Sequence, residues 1–303
     1  MNQFGTQEMK GLELDNDIRW GMGQELILRS GGKATPMWSL QALLDAPDLI
    51  SQVHDDYFAS GALVATANTY VILPDRLKHF GFPERQAELM QKACKIAIQA
   101  RDNHGSGSVA GSLGPLGFSY QPDKCPEIDI AAPIYETAVK QQSEFVDFHI
   151  LETMSSVKQA RGGLMGATSS TKPVWLAISV DDIDGSRLRS GENVKEVLPL
   201  VEEFGAQALL LNCSSPEAIT KSIPLLSECR VPIGAYANGF INISDSFNKI
   251  GSTVDLLEKR EDLTPVIYAD FAEKWVDAGA TLIGGCCEVG PAHIKELSTR
   301  WKG

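Results

Sequence analysis

The stretch ALLLNCSSPEAI, residues 208–219, changes character in its middle. The unbroken apolar run Ala208 to Leu211 is short and reads as a strand buried on both faces. Ser215 then suits an N-cap, Pro216 the first helical position and Glu217 the positive end of the helix dipole. A strand that runs straight into a capped helix is one βα unit, and this strand must end at about Cys213. A second stretch, TLIGGCCEVGPAHI, residues 281–294, repeats the plan. Gly290 takes the cap, Pro291 the first helical position, and the strand ends near Cys287.

The same alternation runs outward along the chain. Apolar, β-branched runs predict strands over 18–24, 63–70, 108–114, 146–154 and 174–180. Others fall at 208–214, 232–239 and 281–287. Helical periodicity lies between them, over 83–103, 131–145, 193–205 and 262–279 among others. Eight such strands in one chain of 303 residues predict an α/β fold, a single-domain (β/α)₈ TIM-type barrel. Its expected limits are 18–303, with residues 1–17 as an N-terminal extension. A doubly wound open sheet is the competing arrangement. GMGQELILRSGG (21–32) has its glycines at the wrong spacing for a dinucleotide turn, and no G-x-G-x-x-G follows the first strand.

Composition narrows the partners. The net charge is −12 and no basic block interrupts it, so neither nucleic acid nor an anionic membrane is an expected partner. No apolar run approaches the roughly 18 residues of a membrane span, and the polar first twenty residues lack a signal core. The expected location is the cytoplasm, where thiols stay reduced. Six cysteines in this length are too sparse for a disulfide scaffold, so structural disulfides are not expected.

Cys213, Cys286 and Cys287 all fall at C-terminal strand ends, on strands six and eight. In a barrel that is the face where active sites are built. Each has an ordinary explanation as well. Cys213 suits packing as a small buried residue, and the adjacent pair could be packing, a redox pair or a strained vicinal disulfide. Three thiolates meeting at one point instead suit a tetrahedral soft cation, with zinc foremost. Neighbouring strand residues face opposite sides, so both members of the pair can reach one metal only where the strand ends or bulges. Gly284-Gly285 would supply that irregularity. Cys94, Cys125 and Cys229 lie in helical or loop segments and offer no fourth ligand. A three-cysteine site keeps an open position, as catalytic zinc does. Bound there, a substrate thiol is held as thiolate, and the chemistry that follows is alkyl transfer.

GGCC before a proline-started helix, LNCSSPEAI, ILETMSSVKQARG and AGSLGPLG, taken together in this order, resemble the homocysteine S-methyltransferase family. The likeness runs from about Trp20 to Trp301. It implies a (β/α)₈ barrel, with Cys213, Cys286 and Cys287 as ligands of Zn2+. It also implies that Glu152, in LETM, anchors the amino group of homocysteine. MWSLQALLDAPDLI (37–50) resembles a family helix opening in which Trp38 walls the donor pocket. Asn238, in YANG, matches a family asparagine after strand seven.

Three departures stand out. The family's first strand carries aspartate before its glycines; RWGMGQEL here puts Arg19 there, and a guanidinium suits a substrate carboxylate. Thr153 follows Glu152 where betaine-type members have tyrosine. The chain stops after the eighth predicted helix, without the long C-terminal arm of the betaine enzymes or cobalamin and folate modules. The expectation is a zinc-dependent homocysteine methyltransferase, a monomer or small homo-oligomer, using S-methylmethionine, dimethylsulfoniopropionate or betaine. Its rivals are a methyltransferase fed by a corrinoid protein partner, a redox thiol enzyme and a non-catalytic thiol or zinc barrel.

Overall fold

Every one of the eight apolar runs forms a strand. The computed structural model describes residues 22–244, 247 and 252–301, together with the backbone of 17–20. The strands are β1 (Asp17–Trp20), β2 (Val64–Thr66), β3 (Ser108–Leu113), β4 (Phe148–Met154), β5 (Val174–Ile178), β6 (Ala208–Asn212), β7 (Ile233–Tyr236) and β8 (Ala280–Gly285). β2 to β8 pair in sequence order, all parallel, as a seven-strand curled sheet with helices over its outer face. β1 pairs with β8 over four positions and with β2 at Arg19↔Val64, so the strand order closes on itself. The fold is α/β and forms a single domain. No helix among the described residues is long and apolar enough to cross a membrane.

Strand parity decides what faces the interior of the curl. Phe148, Ile150, Trp175, Ala177, Ala208, Leu210, Tyr236 and Leu282 form an inner cluster. Their alternates, such as Leu151, Leu176, Leu209 and Ile283, pack in the layer beneath the helices. The inner floor is filled by rings, Phe148 stacking on Trp175 with centroids 4.0 Å apart. Each such fully buried side chain contributes about 1.5–3 kcal/mol of transfer free energy. Continuing each inner row toward the strand's C-terminal end reaches Ser112, Glu152, Asn212 and Tyr236. The alternation that builds the core therefore also carries polar groups to the top of it.

Boundaries differ from the sequence expectations in understandable ways. The first strand stops at Trp20, and the helix Gly23–Arg29 follows; GQELILR is composed mainly of good helix formers. The second strand ends at Thr66, because Ala67–Thr69 turns, with Thr69 N–H donating to the Ala67 carbonyl at 2.7 Å. Thr69 Oγ1 then donates to the Ser112 carbonyl at 2.7 Å, tying that turn to β3. The expected helix over 193–205 opens as a 3₁₀ turn, Val194–Val197, before the α-helix Leu198–Phe204. Residues 1–16 of the expected extension lie outside the described residues, and Asp17 already belongs to β1.

Candidate active site and metal centre

Glu152 ends the inner row of β4 and is only 8% exposed. Tyr236 Oη donates to its Oε1 at 2.8 Å, and Ser112 Oγ donates to Oε2. Three strands thus aim at one carboxylate. Beside it Thr153 sits at φ +62, in the left-handed region that a β-branched residue rarely enters. Asn212 holds it there: its Oδ1 accepts the Thr153 N–H and its Nδ2 donates to Thr153 Oγ1, both at 3.0 Å. The β4–β5 register shifts between Leu151 and Met154, the kind of bulge that re-aims a side chain.

The next residue after Asn212 is Cys213, itself at φ +49. Its carbonyl accepts from Arg189 Nη2 at 3.0 Å and from Ser179 Oγ at 3.3 Å. Arg189 also grips Asp182 bidentately, both bonds at 3.0 Å, and donates through Nε to Ser179 Oγ at 2.7 Å. Asp182 in turn accepts the backbone N–H of Ser215 at 2.8 Å and of Ile243 at 3.0 Å. This buried ion pair, 9% and 8% exposed, pins the strained turn that presents Cys213. Ser215 caps the helix Pro216–Ser222 by accepting from the Ala218 N–H, as its sequence position predicts.

On the other side β8 ends at Gly285, so Cys286 and Cys287 belong to a turn rather than a strand. A Cβ on Gly285 would collide with Val289, so this glycine makes room for the turn to fold back on the strand end. Cys286 N–H donates to the Ala237 carbonyl at 2.9 Å, the Cys287 carbonyl accepts from Gly239 at 2.8 Å, and Glu288 closes the turn at φ +64. β8 is further held by Tyr268 Oη, which donates to the Gly284 carbonyl at 2.6 Å.

The three sulfurs of Cys213, Cys286 and Cys287 lie within 4.8 Å of one another. Four-coordinate zinc with Zn–S of about 2.3 Å spaces its sulfurs about 3.8 Å apart, so this donor set fits a zinc ion. No fourth histidine, cysteine or carboxylate joins the cluster among the described residues. Burial, with Glu288 adding to it, pushes the Cys287 thiol up to about 12, and a bound cation is what would draw off that proton. The Cys213 and Cys286 sulfurs are drawn into direct contact, and Cys287 is free. The fold brings the two Cα atoms to 5.8 Å, within the roughly 4.4–6.8 Å that a bridge spans.

A pocket opens over the sulfurs and Glu152, walled by Trp38, Tyr70, Phe118, Tyr120 and Phe240. Trp38 stands edge-on to Tyr70, centroids 5.8 Å apart. Glu152, Trp38 and the three cysteines therefore share one cavity. Asn238 is buried beside the site but is not among the lining residues; its Oδ1 accepts the Phe240 N–H at 3.1 Å, the turn role open to asparagine. The side chain of Arg19 lies outside the described residues. Sequence reasoning missed Ser112, Asn212, Tyr236, Arg76 and the Arg189–Asp182 pair. Strand parity could have found the first three; Arg76 comes from the short helix Pro74–His79 and the Arg189–Asp182 pair from a loop, and only the folded chain brings them to the site.

A family model described as homocysteine S-methyltransferase matches residues 21–301. A selenocysteine methyltransferase of Astragalus bisulcatus is 27% identical, over 92% of this chain and 90% of its own. The homocysteine S-methyltransferase of Escherichia coli (strain K12) is also 27% identical, over 92% of this chain and 93% of its own. The crystal structure of the Escherichia coli homocysteine methyltransferase MmuM in metallated form superposes with a TM-score of 0.77 at 25% identity, covering 94% of this chain and 96% of that one. Its oxidized form gives a TM-score of 0.80 at 24% identity, over 95% and 97%.

Proposed function

Since this chain belongs to the homocysteine S-methyltransferase family, an enzyme family of the methyltransferase class, we propose that it moves a methyl group from a small onium donor to the thiol of L-homocysteine, with zinc on Cys213, Cys286 and Cys287, giving methionine. The observation that carries the reading is the meeting of three sulfurs and the buried Glu152 in one aromatic-walled pocket. We read the fold as the complete (β/α)₈ barrel over 18–303, on the strength of the closed strand order, and the site as lying at its C-terminal mouth. We assign the reaction to the cytoplasm, where the three thiols would stay reduced.

Zinc in this site would supply one thing, a thiolate at neutral pH from the acceptor thiol. The remaining work falls to the chain. Glu152, held by Tyr236 and Ser112, receives the acceptor's ammonium and so orients its sulfur. The faces of Trp38, Tyr70 and Tyr120 suit the positive charge of the donor, each cation–π contact contributing about 0.5–2 kcal/mol. Opposite charges are quenched as the methyl group passes in line, so a dry pocket that holds both partners speeds the step. No side chain need act as general base during the transfer.

Metal content and methionine formation, measured together with S-methylmethionine, dimethylsulfoniopropionate and betaine, test the proposal. Cys213→Ser, Cys286→Ser and Cys287→Ser are each expected to lower zinc occupancy and to remove activity. Full turnover by metal-free protein ends the proposal. The direct contact of the Cys213 and Cys286 sulfurs favours one other reading, a redox thiol centre. Dithiol oxidation that persists in excess chelator, without methionine formation, would establish that reading instead.

A further inference from the structure

Arg76 lies in the short helix Pro74–His79, is 3% exposed, and lines the pocket. Its Nη1 donates to the Tyr70 carbonyl and its Nη2 to the Pro115 carbonyl, each at 3.0 Å. The guanidinium carbon lies 5.2 Å from the ring centroid of Tyr70 and 5.6 Å from that of Phe118. Other shielded arginines meet carboxylates: Arg189 meets Asp182, Arg260 meets Glu217 and Asp262, and Arg29 meets Glu25. Arg76 meets none among the described residues. The adjacent Asp75 makes no ion pair with it: Oδ2 accepts the Gly117 N–H at 2.9 Å, and Oδ1 is buried without a hydrogen-bond partner.

A buried cation is costly unless an anion accompanies it. Two carbonyls and two ring faces contact Arg76, no carboxylate bonds it among the described residues, and only two of its five N–H donors are used. The place is also built for it. A Cβ on Gly114 would stand 2.9 Å from Arg76 Nη1 and 2.8 Å from the Tyr70 oxygen, so the glycine of AGSLG keeps room for this guanidinium. The pocket lining carries both charges: Glu152, bonded by Tyr236 and Ser112, and Arg76, packed on Tyr70 and Phe118.

We propose that Arg76 is the residue that receives the carboxylate of the onium donor and so sets the enzyme's preference for donors that carry one. This rests on the reading of the pocket as a methyl-donor site. The donor's methyl group must face the acceptor sulfur, so the remainder of the molecule extends away from the cysteines. Its cationic centre then lies against the aromatic walls and its carboxylate against the guanidinium, which offers a planar pair of donors. A carboxylate-free onium compound leaves the buried charge unmatched and is disfavoured for that reason.

The test uses the zinc-loaded enzyme with saturating homocysteine. The ratio of kcat/KM for dimethylsulfoniopropionate to that for trimethylsulfonium is measured in the unmodified enzyme, Arg76→Lys and Arg76→Met. The unmodified enzyme should favour the carboxylate by at least about tenfold, and Arg76→Met should collapse the ratio toward one, chiefly through the donor KM. Arg76→Lys should recover part of it, and the homocysteine KM should stay unchanged. Equal losses for both donors, or a rise confined to the homocysteine KM, overturn the assignment. If Arg76→Met does not fold, the comparison of dimethylsulfoniopropionate with its methyl ester in unmodified enzyme decides, and equal kcat/KM counts against it. If neither onium compound is turned over, S-methylmethionine and betaine decide separately whether the proposed activity holds. Calorimetric binding of 3-(methylthio)propionate, weakened in Arg76→Lys and lost in Arg76→Met, would still uphold the carboxylate site, and unaltered or absent binding would end it.

Discussion

At Cys213 a metal-ligand candidate is held in an unfavourable backbone conformation by a charge pair that never touches the pocket's occupant. A left-handed non-glycine residue costs on the order of 1–3 kcal/mol, and the Arg189 bond to the Cys213 carbonyl, backed by Asp182, offsets it. Asp182→Asn leaves the guanidinium buried without its counter-charge. The expected result is a loss of about 3 kcal/mol or more in denaturant-unfolding stability, together with weaker zinc retention against a competing chelator. A variant with unchanged zinc affinity would show that the pair supports only the fold. The cysteines were legible in the sequence because GGCC and LNCSSP carry their strand ends and helix starts with them. Arg189 and Asp182 were not, because nothing local distinguishes them from solvated loop charges.

At the scale of elements, what matters is how two strands end. β6 ends by entering the left-handed region at Cys213, and β8 ends against the returning side chain of Val289. The sequence-based reason offered for Gly284-Gly285, an irregular strand, becomes more specific: Gly285 admits a close approach. Gly285→Ala forces Val289 or the strand end to shift, so it should cost about 1–3 kcal/mol by overpacking and lower zinc occupancy while leaving the core strands paired. Zinc titration alongside thermal melting checks this; intact occupancy with the expected stability loss would separate the turn from the metal site. Strand and helix order was readable because buried parallel strands are continuous apolar runs. Their ends were less so, since a run such as 63–70 contains turn residues that periodicity alone does not separate.

For the whole molecule, burial of ionisable side chains makes stability depend on pH. His149, inside β4 and bonded to Gln142 and Ser143 at 2.9 and 3.1 Å, is held down to about 4 by burial, with the charge of Lys172 adding. Burial alone holds His54 down to about 3. Between the unfolded value of about 6.5 and these folded values the unfolded chain binds more protons. Stability is therefore complete above about pH 6.5 and declines as pH falls through that window. From pH 7 to pH 5 the expected loss is about 2 kcal/mol for each histidine, read from urea midpoints, and His149→Gln should narrow the difference. Equal midpoints at the two pH values would contradict it.

By itself the sequence determined the alternation of strand and helix, the three cysteines at strand ends, and the carboxylate at the end of β4. These are local matters of periodicity, capping and side-chain chemistry, readable over a dozen residues. The tertiary structure decided which polar groups surround that carboxylate, what holds Cys213 in its turn, and that its sulfur meets those of Cys286 and Cys287. It also placed an arginine without a carboxylate partner among the aromatic walls. Such facts depend on residues up to 84 positions apart, as in the Tyr236–Glu152 bond, and only the curl of the sheet brings them into contact.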